Sequence, residues 1–304
     1  MAANFCLNLL NMKSPGKNNR RTGRGKSQGK NPFSTGFVRR DKVVKPVPQP
    51  SIATDTKTSW GTVADWYEEH LTGEDTYHAK VIAPNLMRIV APGNGMRILD
   101  LACGEGYFSR MFYSAGAIVV GSDIAAPLIE KAKRQSGNID YHVADATKEF
   151  SFAADRSFDA VVCVLALQNM EKLETVFKEC ARVLKPGSRF IFVLNHPVFR
   201  IPKRTSWGWD DQNKIQYRRV DAYLSARRER IDMSPGSGGE AVTWSFHRSL
   251  QDHMKALAGA GFAITKIEEW ISHKKSEKGP RSEAEDTARK EFPLFLMVEA
   301  KLVG

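Results

Sequence analysis

The sequence predicts an α/β fold in which helices cover both faces of a mostly parallel sheet. Short buried apolar runs, typical of strands, alternate with helical patterns from residue 97 to residue 194, and this alternation is typical of parallel sheets. Acidic residues mark the ends of three predicted strands, and a glycine-containing turn follows the first. Right-handed crossovers bring the carboxyl ends of parallel strands to one edge of the sheet, where we therefore expect the ligand.

The predicted elements begin with a helical cap. Aromatic and apolar residues at helical spacing predict cap helices over residues 59–90, and Pro84 is suited to the start of the second one. The first half of the sheet region is then predicted to contain strands 97–101, 117–122, 139–143 and 160–165, with helices 107–115 and 127–134.

The alternation continues to residue 194 and then stops. Residues 195–245 show no regular period and are rich in Arg, Trp and Tyr, so we interpret them as a lid insert after the fifth strand. The other elements predicted for this half are a helix over 171–184, a strand over 189–194 after the breaker Lys185-Pro186-Gly187, a helix over 250–260, and closing strands over 262–270 and 293–302 joined by a charged loop over 272–291. The long connection between the closing strands permits a hairpin with one antiparallel strand.

The first 50 residues differ in composition from the rest of the 304-residue chain. They hold 11 of the 45 Lys and Arg residues and one of the 34 acidic residues, so they carry a formal charge of +10, whereas residues 51–304 carry +1. We predict a disordered basic tail that ends in a proline-rich linker over 46–50. Three interpretations of the tail stay open: a solvated extension, an arm that contacts RNA or another acidic surface, and an organellar transit peptide.

Residues 51–304 are predicted to form one folded domain of a soluble, cytoplasmic protein. The four cysteines are widely scattered and include no CxxC pair, which argues against a zinc ribbon or a secreted disulfide framework. No apolar run reaches the ~18 residues that a transmembrane helix needs. We therefore expect no metal site and no membrane partner.

The strand ends carry the residues that best indicate a ligand. Asp100 lies at the end of the first predicted strand and is followed by a turn with Gly104 and Gly106 that leads directly into a helix. Glycine lets the main chain approach a ligand closely, and a helix N-terminus offers free N–H groups. Asp123 ends the second strand, where a carboxylate can accept hydrogen bonds from ribose hydroxyls, and Asp145 follows the third, where it could accept from an adenine amino group.

Two other interpretations of these residues are possible from the sequence. A dinucleotide site is disfavoured because Ser109 stands where that fingerprint has its third glycine. Asp100 would also repel a pyrophosphate, whereas it favours a cationic amino group. The remaining alternative is that Asp100 and Asp145 only cap loops.

Five segments together resemble the class I S-adenosylmethionine-dependent methyltransferases, particularly the methyltransferase type 11 group. The resemblance covers roughly residues 59–304. It is carried by LDLACGEG at 99–106, VVGSDI at 119–124, VADA at 143–146, FDAVVCVLALQNM at 158–170 and LKPG at 184–187. The family implies a Rossmann-like, seven-stranded sheet whose last strand is antiparallel, and S-adenosylmethionine as the cofactor.

The resemblance also implies roles for individual residues. Asp100 and the turn Ala102, Cys103, Gly104 and Gly106 would hold the methionine part of the cofactor. Asp123, with Ile124, would bind the ribose side, and Asp145, with Ala146, the adenine. Val164 and Leu165 would lie beside the sulfonium. The family usually has glycine where this chain has Ala102, a tolerated change that tightens the turn.

The acceptor site must be inferred from the cap and lid, since methyl transfer needs a general base only when the nucleophile must lose a proton. His196, after the fifth strand, and His247, before a helix near the same edge, are the candidate bases; the alternative for each is a structural histidine. The tentative substrate contacts are Tyr67, Gln168, Asn195 and Trp207.

Three functions are consistent with the sequence. The near-neutral domain with its two-part cap favours methyl transfer to an O or N atom of a small molecule. An RNA methyltransferase that uses the basic tail as a phosphate anchor is the alternative. A non-catalytic cofactor-binding module is the third.

Overall fold

The computed structural model describes Trp60, residues 75–233 and residues 241–303. The predicted basic tail and linker, Tyr67 and most of the first cap helix lie outside these residues. Among the residues described, no helix combines the length and the apolar character that crossing a membrane requires.

The first half of the structure alternates strands and helices, as the sequence predicts. A π-helical turn, His78–Ile82, leads into helix α1, and a 3₁₀ turn, Leu167–Asn169, follows strand β4. The elements are α1 (Ala83–Val90), β1 (Arg97–Leu101), α2 (Tyr107–Ser114), β2 (Ile118–Asp123), α3 (Ala126–Gln135), β3 (Asp140–Val143), β4 (Phe158–Val164) and α4 (Leu173–Val183).

The second half contains more strands than expected. The first of these strands begins at Leu184, so the predicted breaker Lys185-Pro186-Gly187 lies inside this strand and not before it. The elements are β5 (Leu184–Asn195), β6 (Thr205–Asp210), β7 (Ile215–Val220), β8 (Arg227–Asp232), β9 (Val242–His247), α5 (Leu250–Gly259), β10 (Phe262–Trp270), α6 (Ser282–Glu291) and β11 (Phe295–Leu302).

Seven strands form the central sheet, in the order β10-β11-β5-β4-β1-β2-β3. The pairs from β5 to β3 are parallel. The last strand, β11, is antiparallel to both of its neighbours, with Phe295 opposite Asn195 of β5 and opposite Trp270 of β10. The predicted seven-stranded, mostly parallel sheet with an antiparallel last strand is therefore confirmed, and β1 to β5 end at one common edge.

Alternate residues of the strands pack into two hydrophobic clusters. Ile98 belongs to one cluster and Leu99 to the other, and Val162 and Val161 divide in the same way. Successive side chains of a strand point to opposite faces, so the two clusters lie on the two faces of the sheet. The strands carry apolar side chains on both faces, as a parallel sheet covered by helices on both sides requires.

Two expectations for the second half are wrong. Residues 195–245 do not lack regular structure, because they form two antiparallel hairpins, β6–β7 and β8–β9. The expected loop over 272–291 contains helix α6, whose first turn holds Glu283 and Glu285 and whose last turn holds Arg289 and Lys290. That arrangement of charges complements the helix dipole. Ala288 is the one buried residue of α6, so the helix has too few apolar residues to show a helical period in the sequence.

Candidate active site

A tight turn links β1 to α2. The N–H of Cys103 donates to the carbonyl of Ser122 at 2.9 Å, which fixes the turn to the neighbouring strand β2. Ala102 has φ of 58° and Gly106, the N-cap of α2, has φ of 79°. Gly106 must be glycine for a second reason, because a Cβ there would lie 2.3 Å from the hydroxyl oxygen of Tyr141.

Asp100 is buried below this turn. Its Oδ2 accepts a hydrogen bond from the hydroxyl of Ser109 at 2.5 Å, and 1% of the residue is exposed. Burial raises the pKa of Asp100 to about 7, an effect that the Ser109 bond opposes and the nearby charge of Asp123 reinforces. The carboxyl group therefore changes charge close to neutral pH.

Asp123 connects the turns that follow β1 and β2. Its Oδ2 accepts from the N–H of Gly104 at 3.0 Å and its Oδ1 from the N–H of Ala125 at 2.8 Å. Burial raises the pKa of this carboxyl, and the main-chain donors oppose the rise. Each carboxylate oxygen has a second lone pair, so the group can still accept hydrogen bonds from a ligand.

Asp145, after β3, makes the contacts of a loop cap. Its Oδ1 accepts from the N–H and the hydroxyl of Thr147, at 2.9 and 2.7 Å, and its Oδ2 lies 3.4 Å from Nζ of Lys148. Partial burial raises the pKa of Asp145, but the Thr147 and Lys148 contacts outweigh it and lower the pKa overall. Ile124 and Val143 are exposed at the same edge.

A cavity of about 110 Å³ lies beyond the carboxyl ends of β4 and β5. The β8–β9 hairpin is tied to this edge because the side-chain amide of Asn169 donates to the carbonyl of Trp244 at 2.8 Å. The lining residues are Trp60, His78, Leu165, Gln168, Asn169, Leu194, Asn195, Pro197, Arg200, Pro202, Ile231, Thr243, Ser245, Phe246, His247, Arg248 and His253. The cavity thus brings together Leu165, Gln168, Asn195 and His247, four of the residues that the sequence analysis selected.

Two other selected residues do not line the cavity. His196 is buried, its Nε2 lies 2.7 Å from Oε1 of Glu269, and its Nδ1 accepts the N–H of Val198 at 3.2 Å. With both ring nitrogens bonded, His196 fastens the loop after β5, and these contacts give no support to its candidacy as a base. Trp207 packs edge-on against Phe292, with the guanidinium of Arg218 over its ring.

His247 keeps one nitrogen available for chemistry. Its Nε2 lies 2.7 Å from the carbonyl oxygen of Tyr223. A carbonyl can only accept, so Nε2 carries the proton and Nδ1 is an acceptor. Burial lowers the pKa of His247, which favours this neutral form.

Two further histidines of the cavity were missed by the sequence analysis. His253 lies 2.9 Å from the carbonyl oxygen of Ser249 through its Nδ1, and burial lowers its pKa to about 4. Burial also lowers the pKa of His78 to about 4. A signal for His253 did exist, since it precedes the buried Leu257 by four residues and so shares the inward face of α5.

Polar oxygens without partners also face this region. Gln168 donates its side-chain amide to the carbonyl of Leu165. Within the part of the chain that is described, Oε1 of Gln168, Oδ1 of Asn195 and Oγ1 of Thr243 are buried without a hydrogen-bond partner. Buried polar atoms are almost always bonded, so a molecule that enters the cavity is expected to supply hydrogen-bond donors.

The fold and this edge define a class of protein. A seven-stranded sheet with an antiparallel last strand, a glycine turn after β1 and acidic residues at successive strand ends are features that this chain shares with the class I S-adenosylmethionine-dependent methyltransferases. Residues 99–192 match the type 11 family model, described as "Methyltransferase domain".

Curated relatives match the central part of the chain. A demethylmenaquinone methyltransferase of Renibacterium salmoninarum is 37% identical over 106 residues, which cover 34% of this chain and 44% of the relative. A ubiquinone biosynthesis O-methyltransferase of Xanthomonas oryzae pv. oryzae is 34% identical over 106 residues, with 33% of this chain and 44% of the relative covered. The chain thus spans less than half the length of these relatives.

A solved structure extends the likeness beyond the central part. An S-adenosylmethionine-dependent methyltransferase from Mesorhizobium loti matches with a TM-score of 0.58 and 29% sequence identity, over 72% of this chain and 96% of that chain. The similarity therefore includes elements on both sides of the matched domain.

Proposed function

We infer that the chain transfers a methyl group from S-adenosylmethionine to an oxygen or nitrogen atom of a small molecule. The observation that carries this inference is the cavity at the ends of β4 and β5, which lies beside the strand that bears the glycine turn and is lined in part by β8 and β9. The name of one relative, a ubiquinone biosynthesis O-methyltransferase, supports a small acceptor.

The residues at the edge of the sheet fit the cofactor. The buried carboxyl of Asp100 suits the cationic amino group in the methionine part of the cofactor. Because Gly104 and Gly106 have no side chains, the cofactor can approach the main chain of the turn at these two positions. Asp123 can accept from the ribose hydroxyls through its unused lone pairs. Ile124 offers an exposed apolar surface for a ring, and Asp145 and Ala146 adjoin the adenine side.

The cofactor, when bound, would supply an electrophilic methyl group, which passes to the acceptor as its carbon–sulfur bond breaks and S-adenosylhomocysteine leaves. The chain's task is to hold the acceptor in line, because proximity and orientation can contribute up to ~7–11 kcal/mol. Leu165 and Gln168 adjoin the end of β4, where they can fix the acceptor. For a hydroxyl acceptor, Nδ1 of the neutral His247 can take the proton.

Thermal unfolding tests the cofactor assignment. A ligand present at about 100 times its dissociation constant stabilises the folded state by ~2.7 kcal/mol, which raises Tm by roughly 5–10 °C for a domain of this size. We expect this rise for the full chain with S-adenosylmethionine or S-adenosylhomocysteine. NADH is the control, and a rise with NADH alone would contradict the proposal.

Cofactor affinity is expected to depend on the charge of Asp100. Because burial raises the pKa of Asp100 to about 7, below this pH the carboxyl must release its proton before it can pair with the cofactor's ammonium group. The association constant should therefore rise with pH, up to about tenfold per unit below pH 7. It should level off above this and fall again beyond about pH 8, where an α-amino group loses its own proton.

Titration calorimetry at several pH values, in buffers of different ionisation enthalpy, counts the proton released. Asp123 is a second buried acid whose charge acts on Asp100, so Asp100→Asn is needed to identify the group that titrates. This variant should bind more weakly and lose the pH slope below 7. An unchanged slope in Asp100→Asn would show that another group titrates.

The alternative of an RNA acceptor rests on the +10 charge of residues 1–50. A tail that anchors phosphates releases counterions, so its loss weakens RNA binding and flattens the salt dependence. For the proposed small-molecule enzyme, deletion of residues 1–50 should leave the turnover and the KM of the acceptor unchanged within about twofold. A large loss of activity toward RNA, with a smaller salt slope, would favour the alternative; S-adenosylhomocysteine formation with each acceptor is the measurement.

A further inference from the structure

We propose that the acceptor is a molecule about the size of one aromatic ring that carries at least two hydroxyl groups, and that the cavity selects it against amines. This inference rests on the proposed methyl transfer and narrows its O-or-N acceptor to a hydroxyl oxygen. Three features of the cavity carry it: the hydrogen-bond acceptors along its wall, the sign of its charged groups, and its size.

The wall offers hydrogen-bond acceptors on three side chains. Gln168, His247 and His253 each donate one N–H to a main-chain carbonyl, those of Leu165, Tyr223 and Ser249 respectively. The single N–H of each neutral histidine is thereby used, whereas the Gln168 amide keeps a second N–H. The acceptors that remain are the amide oxygen of Gln168, buried and without a partner among the described residues, and one unprotonated ring nitrogen on each histidine.

Burial keeps both histidines in this accepting form. It lowers the pKa of His247 and lowers that of His253 to about 4, so neither ring carries a second N–H at neutral pH. Three acceptors around one small cavity match a molecule with several O–H donors. A molecule that has only ether or carbonyl oxygens would leave all three unpaired, which is costly in a buried site.

The charged groups on the wall disfavour a cation. The described residues that line the cavity include Arg200 and Arg248 but no Asp or Glu. Alkylamines are protonated at neutral pH. Their ammonium group would meet two guanidinium groups on the cavity wall and no carboxylate. The same guanidinium groups favour a hydroxyl oxygen that becomes negative as its proton leaves.

The size and the apolar wall favour a single ring. The volume of about 110 Å³ is of the order of cavities that hold one benzene molecule, roughly 150 Å³. Trp60, Leu165, Ile231 and Phe246 contribute apolar surface. A hydroxylated ring can therefore pack its faces against these side chains while its edge donates to the three acceptors.

Binding to the full chain saturated with S-adenosylhomocysteine tests the inference with four matched probes: benzene-1,2-diol, phenol, 1,2-dimethoxybenzene and benzylamine. Calorimetry is expected to show that the diol binds at least tenfold more tightly than the dimethyl ether or the amine, with phenol between them. In Gln168→Leu, the diol should lose at least fivefold in affinity, whereas S-adenosylhomocysteine should bind within twofold of its normal affinity. Gln251→Leu, an exposed position on α5 outside the cavity, should change neither.

The outcomes separate this inference from the proposed function. If S-adenosylhomocysteine does not bind, the proposed function fails. If it binds but the amine matches or exceeds the diol, if no diol binding is measurable at millimolar concentration, or if Gln168→Leu leaves diol affinity unchanged, the inference about the acceptor is overturned while the cofactor assignment stands. Should Gln168→Leu unfold, Gln168→Met provides the same test.

Discussion

Asp123→Ala is expected to weaken S-adenosylmethionine binding by at least 100-fold. The carboxylate can accept two hydrogen bonds from ribose hydroxyls, and charge-assisted bonds of this kind contribute ~1.5–3 kcal/mol each. The substitution also releases the N–H groups of Gly104 and Ala125 from the acceptor that holds them at 3.0 and 2.8 Å. The turn that approaches the cofactor would then lose one of its links to β2, while the bond from Cys103 to Ser122 remains, so recognition is lost and preorganisation is weakened.

Calorimetric titration with S-adenosylhomocysteine measures this effect. Asp123→Asn keeps one carbonyl acceptor and should fall between the native protein and the alanine variant. Asp140→Ala, which removes an exposed carboxylate from neighbouring β3, is the matched control and should bind normally. A near-native affinity in Asp123→Ala would mean that the ribose site lies elsewhere.

Gly106→Ala is expected both to destabilise the fold and to abolish cofactor binding. Alanine at φ of 79° is strained by ~1–2 kcal/mol, and its Cβ would lie 2.3 Å from the hydroxyl oxygen and 2.9 Å from Cζ of Tyr141. Relief of that overlap requires movement of a buried ring or of the turn, which costs typically a further ~1–3 kcal/mol. A total of about 2–5 kcal/mol corresponds to a Tm lowered by roughly 5–15 °C.

Gly95→Ala separates the two causes. Gly95 has φ of 76°, close to that of Gly106, but a Cβ there would meet nothing within 4 Å. This control should therefore show only the backbone strain and should keep its cofactor affinity. If the two variants melt at the same temperature and bind S-adenosylhomocysteine equally, the contact with Tyr141 has no importance for the site.

Much of the candidate cofactor site could be grouped from the sequence because its signals are local. Asp100, Asp123 and the turn between 102 and 106 each follow a buried strand, and parallel strands must end at one edge of the sheet. The order of the strands did not need to be known for these residues to be grouped. Asp145 shows the limit of such reasoning, because its position was predicted but its bonds to Thr147 were not.

The acceptor cavity could be predicted only in part. His196 and His247 are equivalent as sequence signals, since each lies beside the predicted edge. The difference between them arises from partners far along the chain: Glu269 and the loop after β5 occupy both nitrogens of His196, whereas His247 meets one carbonyl, that of Tyr223. The alternating apolar pattern of β8–β9 was too weak to reveal the hairpin that carries His247.

The sequence by itself determined the alternation of strands and helices, the edge at which the parallel strands end, and the acids and glycines placed there, because these depend on each segment's own apolar period and on the handedness of its connections. The tertiary structure decided which side chains meet in the cavity and which atoms are left to act. It did so through hydrogen bonds and burial between segments tens of residues apart, such as Asn169 with Trp244 and Gly106 with Tyr141, and pairings at that separation leave no periodic trace in the chain.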